Sequence, residues 1–294
     1  MELLRAATLT VRDVTATAAR YAEWLNYRQV DSGTVTAELA QSWGCPKSAL
    51  RPYATLQPAS GLPVFIRTIE GDPVADYRPL RTYGWSTIEL CVTDVLEVQE
   101  RMARSPFRIE GPAQKNASLP TIFPMQVRGP DDEIVYLTQI LSDLPQYDLP
   151  RAKSLIDRIF IMVLGCSDMR ASGRWFETNL GLSLGRDIDI DYTMLAKAFG
   201  TPPDQKYTIC TMTHERDVFL ELDQYPAQAE ARPKIQGALP PGIAIASFRC
   251  PNFDRIARYW IAPPIKRDGP IYDGARAGTV QAPDGTLVEI IEAG

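Results

Sequence analysis

Residues 9–27, LTVRDVTATAARYAEWLNY, and residues 164–182, LGCSDMRASGRWFETNLGL, are two copies of one pattern: an apolar strand end, an aspartate, then an amphipathic helix. Residues 5–11 alternate, with Ala7, Leu9 and Val11 on one face, as a half-buried strand does. Asp13 follows as a helix cap, and Val14, Ala18, Tyr21 and Leu25 recur at spacings of four, three and four, a stripe fit to lie on a sheet. Met169, Phe176 and Leu180 repeat the stripe after Asp168, and Gly181 fits a helix stop.

Working outward, the two halves of the 294-residue chain align at an offset of about 155. AELAQSWGCP at 37–46 matches TMLAKAFGTP at 193–202, and GPDDEIVYL at 129–137 matches APDGTLVEI at 282–290. Each half divides again. STIELCVTDVLEVQERM at 86–102 has Asp94 as cap and Val95, Val98 and Met102 as stripe; IAIASFRCPNFDRIARY at 243–259 has Asn252 as cap and Phe253, Ile256 and Tyr259 as stripe. Further strand-like runs follow each helix, including LPVFIRTI, DEIVYLTQI, DVFLELD and TLVEIIE. The expected class is α+β, with four βαβββ modules at 1–78, 79–152, 153–238 and 239–294. They group as an N-terminal domain, 1–152, and a C-terminal domain, 153–294, joined through DLPQYDLPRAKS. Which modules pair in space is open at this level.

Composition narrows the chemistry. Hydrophobic residues at 45% and charged residues at 23% describe an ordinary globular chain. A net charge of −5 without a Lys/Arg run argues against nucleic acid, and the lack of a long apolar run argues against a membrane span. The charged N-terminus lacks a secretory pattern, so the expected location is the cytoplasm and the acceptor-like Asn116-Ala117-Ser118 has no consequence. The five cysteines are scattered among apolar neighbours without a CxxC pair, as reduced core thiols are. The single histidine, His214, lies in THERD between two apolar runs, where a hairpin tip is expected, so imidazole-based metal or nucleophile chemistry has almost no material.

Four such modules, with V-x-D opening the helices and P-D-G-x-x-x-E-I closing the chain, resemble the vicinal oxygen chelate superfamily, which includes glyoxalases, bleomycin resistance proteins and extradiol dioxygenases. The resemblance implies modules that pair into two cupped, barrel-like mixed sheets, with metal ligands on the first and last strands of modules. Counting seven residues back from each helix cap gives Ala6, Thr87, Ile161 and Ile245, and the last-strand positions are Arg67, Tyr136, Glu221 and Glu289. Two carboxylates without histidine are a poor set for a transition metal, so no metal and no cofactor is expected.

Strand alternation then lists what would line the cups: Arg67, Thr87, Glu89, Tyr136, Ile161, Phe219, Ile245, Ser247 and Arg249 around Glu221 and Glu289. That mixture suits a small oxygenated or aromatic metabolite. If Glu221 and Glu289 share one cup, desolvation and repulsion raise at least one pKa, and the chain reads as a metal-independent lyase or isomerase. Three other readings stand beside it. One is ion pairing of Arg67 with Glu89, and of Arg249 with Glu221 or Glu289, as plain structure. Another is sequestration of a small-molecule ligand without turnover, and the last is a metal-dependent lyase or dioxygenase reached through shifted strand registers. Four modules complete two cups within one chain, so a monomer or a homodimer is expected.

Overall fold

A computed structural model describes residues 3–115 and 120–294; the Asn116-Ala117-Ser118 tripeptide lies outside the described residues. The four repeats fold as the periodicity demands. Module 1 contains β1 (Leu4–Val11), α1 (Val14–Trp24), β2 (Tyr27–Thr34), the short helix α2 (Ala37–Ser42), β3 (Pro52–Pro58) and β4 (Phe65–Glu70). Module 2 contains β5 (Gly84–Val92), α3 (Val95–Met102), β6 (Arg108–Gly111), β7 (Ile122–Arg128) and β8 (Ile134–Ile140). Module 3 contains β9 (Ile156–Cys166), α4 (Met169–Leu180), β10 (Ser183–Asp191), α5 (Thr193–Phe199), β11 (Lys206–His214) and β12 (Asp217–Gln224). Module 4 contains β13 (Gly242–Cys250), a 3-10 turn at Phe253–Tyr259, β14 (Ile265–Lys266), β15 (Arg276–Gln281) and β16 (Leu287–Glu292).

The expected caps form in three modules. Asp13 accepts the Ala16 N–H at 2.9 Å, Asp94 that of Leu96 at 2.9 Å and Asp168 that of Ala171 at 2.8 Å, while Gly181 ends α4 at φ 72°. The fourth differs. Asn252, at φ −102° and ψ 44°, lacks the extended backbone that aims a side chain at the first turn, and it makes no capping bond. Its helix tightens to 3-10 geometry, so only Phe253 and Ile256 are buried and Tyr259 turns outward.

The first strands decide how modules associate. β1 pairs antiparallel with β13, and β5 with β9, giving two eight-stranded mixed sheets in the orders β14-β15-β16-β13-β1-β4-β3-β2 and β10-β11-β12-β9-β5-β8-β7-β6. Module 1 therefore shares a sheet with module 4, and module 2 with module 3. Each sheet draws one module from each sequence half, and both are cupped rather than closed. Ala7, Leu9 and Val11, with the buried stripes of α1, α3 and α4, enter one core between the convex sides of the sheets. The repeated Pro-Asp turns bind the sheets together: Asp131 accepts from the Arg12 amide, the Thr17 hydroxyl and Arg20, and Asp284 accepts from the amide and hydroxyl of Ser167.

His214 closes the β11–β12 hairpin, as its polar neighbours implied, and is half-buried there. All five cysteines are buried free thiols. Among the described residues, no helix is long and apolar enough to cross a membrane.

Candidate functional site

Each sheet presents one concave face. In the sheet of modules 1 and 4, Thr8, Arg67, Ser247 and Glu289 come from the adjacent strands β1, β4, β13 and β16. Glu289, 1% exposed, is saturated: Trp43 Nε1–H donates to one carboxylate oxygen at 2.9 Å and Tyr272 O–H to the same oxygen at 2.9 Å. The other oxygen accepts Ser247 O–H at 2.7 Å and an Arg67 N–H at 3.2 Å. Arg67 also donates to Thr8 Oγ1 at 3.0 Å and Tyr272 Oη at 2.6 Å, and its guanidinium lies 4.8 Å from the Trp43 ring centroid. Burial alone would push the Glu289 pKa up. The Arg67 charge and the bonds from Trp43, Ser247 and Tyr272 outweigh it, holding the carboxylate below its ordinary range. A carboxylate so engaged is a weak base.

The pairing corrects three expectations. Glu289 faces Arg67, not Glu221, which lies in the other sheet; Arg67 is accordingly remote from Glu89. Arg249 pairs with neither glutamate. It reaches toward Asp273 at 4.0 Å on the rim. Ile245 joins Val35, Trp43 and Leu287 in an apolar cluster. Beside the ion pair a cavity of about 330 Å³ remains, lined by Trp43, Tyr53, Thr55, Arg67 and Tyr272 among others.

In the sheet of modules 2 and 3, Thr87 and Glu89 project from β5, Tyr136 from β8, Ile161 from β9, and Glu221 and Asp223 from β12. Here a cavity of about 370 Å³ is lined by Glu89, Glu221, Tyr136, Tyr192, Ile190 and Ile209, with Lys115 and Lys197 also contributing. Thr138 donates a short hydrogen bond to Glu89, and the Tyr136 hydroxyl donates to that of Tyr192 at 3.1 Å. Neither lysine serves the carboxyls. Lys197 donates to the Glu110 carbonyl at 2.6 Å, and the Lys115 ammonium lies 5.6 Å from the Phe123 ring centroid.

The electrostatics of the two cups are opposite. Burial first, and then the charge of Glu221, push Glu89 up to about 8 against the Thr138 bond. Burial and the adjacent Asp223 raise Glu221 well above the carboxylate range, and burial raises Asp223 too, opposed by Tyr192 and Glu221 and reinforced by Glu89. Burial also raises Tyr136 and Tyr192, which stay protonated.

Two expected lining residues are placed elsewhere or differently. Ile161 packs with Cys91, Val163 and Val218 under Tyr147 and Leu149 of the linker, at one end of the cup. Phe219 is not in the cup at all. The pairing steps from Thr213–Val218 to Met212–Leu220, so Phe219 is the extra residue of a β-bulge. The bulge flips the phase: Val218 turns to the concave side and Phe219 to the inter-sheet core, 5.5 Å from Phe248 between ring centroids. Sequence reasoning gave Trp43 the spacing of a core or lid residue, with core preferred, and passed over Tyr192 and Tyr272. The signal for Trp43 and Tyr192 was the short helical insert at the same place in each half, since α2 is followed by Trp43 and α5 is preceded by Tyr192.

Two solved structures share this arrangement over nearly the whole chain. Glyoxalase I from Zea mays matches with a TM-score of 0.63 and 17% identity, over 99% of this chain and 92% of its own. A putative dioxygenase from Bacillus subtilis matches with a TM-score of 0.62 and 11% identity, over 98% of this chain and 84% of its own. The chain carries the vicinal oxygen chelate fold. No family model matches the sequence, and no curated protein does.

The fold implies a divalent metal, and the donors of neither cup fit one. In the first cup, Ala6, Arg67, Ile245 and Glu289 occupy the ligand positions, and the guanidinium supplies the positive charge beside a carboxylate with both oxygens engaged. In the second, Thr87, Tyr136, Ile161 and Glu221 occupy them. Among the described residues no group of three His, Cys, Asp or Glu side chains is arranged to hold an ion.

Proposed function

We propose that the cup of modules 2 and 3 binds a small oxygenated or aromatic metabolite and that Glu221, with Glu89, moves a proton on it, as a metal-independent lyase or isomerase does. The observation that carries this reading is a pair of carboxyl groups facing one cavity with, among the described residues, no cationic side chain bound to them. A carboxyl with a pKa near the working pH gives a proton and takes one back with comparable ease. In its neutral form Glu221 donates to a ligand oxygen as negative charge develops there; ionised, it accepts a proton from an adjacent carbon. Glu89, held by Thr138, serves as its counterpart across the cavity, and Tyr136 and Tyr192 add hydroxyl donors. Chemistry that polarises paired oxygens on a divalent ion, as the fold first suggests, is not carried over, because the donor sets do not suit the ion.

Sequestration without turnover is the second reading, favoured by the aromatic lining of the other cavity and the locked state of Glu289. Native mass spectrometry of the protein exposed to its host's extract identifies the bound metabolite. Loss of turnover of that metabolite in Glu221→Gln and Glu89→Gln, with Glu289→Gln retaining it, supports the proton-transfer reading. A ligand released unaltered by the unmodified protein, or turnover unaffected by the two substitutions, refutes it.

A further inference from the structure

The same cup has a charge problem that a ligand would solve. Glu89, Glu221 and Asp223 share its concave face, and the lysines near it are turned to Glu110 and to the Phe123 ring. Asp223, 1% exposed, stands beside Glu221 and Tyr192, both of which line the cavity. Glu89 and Glu221 line the cavity itself, and among the described residues no cationic side chain is bonded to either, so their acceptor oxygens mark a place for a donor. The apolar share of the wall, Ile190, Ile209 and Met194 with the rings of Tyr136 and Tyr192, surrounds that place.

We infer that the ligand of this cup is an organic cation, a primary ammonium on an aromatic or aliphatic body, with its N–H donors directed to Glu221 and Glu89 and its body among the tyrosines. This rests on the reading of the module 2 and 3 cup as the working site. Three features suit an ammonium over the alternatives. An anion would oppose the ionisation of Glu89 and Glu221, and the lysines on the wall are already turned to the Glu110 carbonyl and the Phe123 ring. A bare divalent ion needs several donors converging at about 2–2.6 Å, and among the described residues no group of three His, Cys, Asp or Glu side chains is so arranged. A tyrosine-walled cavity, in contrast, attracts a cation through the ring faces while burying its carbon body.

Cation binding requires the carboxyls to ionise; Glu89 is pushed up to about 8 and Glu221 is raised in the same direction, so binding near neutral pH expels a proton. The groups that face the exchange are Glu89 on β5, Tyr136 on β8, Glu221 on β12 with Asp223 beside it, Tyr192 ahead of α5, and Asp191, Lys115 and Lys197 on the wall, with Tyr225 nearby. Affinity therefore rises with pH until the ammonium itself deprotonates.

The test is calorimetric titration of the full chain with benzylammonium, benzyl alcohol and benzoate, which share one body and differ in charge. Benzylammonium is expected to bind at least ten-fold more tightly than benzyl alcohol at pH 8, benzoate not at all, and affinity to fall by up to about ten-fold per pH unit on acidification. The binding heat should vary with the ionisation heat of the buffer, reporting the released proton. Glu221→Gln and Glu89→Gln should each erase the preference for the cation; the unaltered circular dichroism of both variants keeps that comparison valid. If either variant loses its fold, benzylammonium competition by its N-acetyl derivative in the unmodified protein replaces the variant, and the neutral amide should not compete. Equal or tighter binding of benzyl alcohol or benzoate overturns the inference, as does absence of benzylammonium binding at millimolar concentration or tight binding of Mn²⁺ alone that depends on Glu221. Should the host metabolite prove neutral or anionic while its turnover still needs Glu221, the charge inference falls and the proton-transfer reading stands. A cationic metabolite returned unaltered gives the reverse.

Discussion

Replacing Glu89 with glutamine should stabilise this protein in alkaline solution and leave it nearly unchanged in acid. In the unfolded chain the Glu89 carboxyl ionises near 4.5, whereas burial and the Glu221 charge push it up to about 8 in the folded cup. Below 4.5 both states hold the proton and the group costs nothing. As pH rises through the interval the unfolded state releases its proton while the folded state cannot, so stability declines until the folded carboxyl also ionises near 8. Each factor of ten in acidity is worth about 1.4 kcal/mol, so the decline from pH 4.5 to pH 8.5 approaches about 4 kcal/mol. Glutamine keeps the shape and still offers a carbonyl oxygen to the Thr138 hydroxyl, and it has no proton to lose. Urea unfolding of both proteins at pH 4.5 and pH 8.5 measures the effect as the change in their stability difference between the two conditions. A difference that stays constant, or that moves against the variant as pH rises, would show that the folded carboxyl is ionised throughout, and the account of the cup would be wrong.

Arg67→Met should cost about 3–5 kcal/mol in urea unfolding because it leaves Glu289 charged and buried, and the double variant Arg67→Met/Glu289→Met should recover most of that loss. A single variant as stable as the parent would mean that Trp43, Ser247 and Tyr272 suffice to hold the carboxylate. Asp131→Ala removes the acceptor for the Arg12 amide, Thr17 and Arg20 between the sheets, and a loss of about 2–3 kcal/mol is expected in the same assay. Gly165→Ala places a methyl 2.5 Å from the Tyr225 ring, whose side chain is only 3% exposed and has nowhere to swing, so thermal unfolding should register a loss of about 1–3 kcal/mol. An alanine variant with unchanged melting would show that the ring yields.

The repeat was legible because its signals are local. Three aspartates cap three helices, and a cap is a contact between residues two or three apart. The module with the weakest cap, at Asn252, is the one whose helix tightened into a 3-10 turn, and no spacing rule distinguishes the two geometries over seven residues. Period-two alternation put Glu89, Tyr136 and Glu221 on one face, and all three line one cavity. It failed at Phe219 because a bulge is a mismatch between two strands and leaves no mark in either one alone. Trp43 and Tyr192 flank the short helical inserts that the halves have in common, yet Trp43 has the spacing of an ordinary core residue, and the closure of each insert over a cup gives both a partner.

From the sequence alone come the module, its fourfold use, the absence of histidine from every expected ligand position, and the shortlist of carboxylates, since each depends on what neighbouring residues are. The tertiary structure alone decided which shortlisted groups meet. By joining β1 to β13 and β5 to β9, it gave Glu289 the Arg67 guanidinium and left Glu221 with Glu89 and Asp223. Two glutamates at equivalent places in one repeat thus became a locked anion and a proton-holding acid. The physical reason is that a carboxyl's pKa is set by the charges and donors within a few ångströms, and strands from opposite ends of the chain supply those.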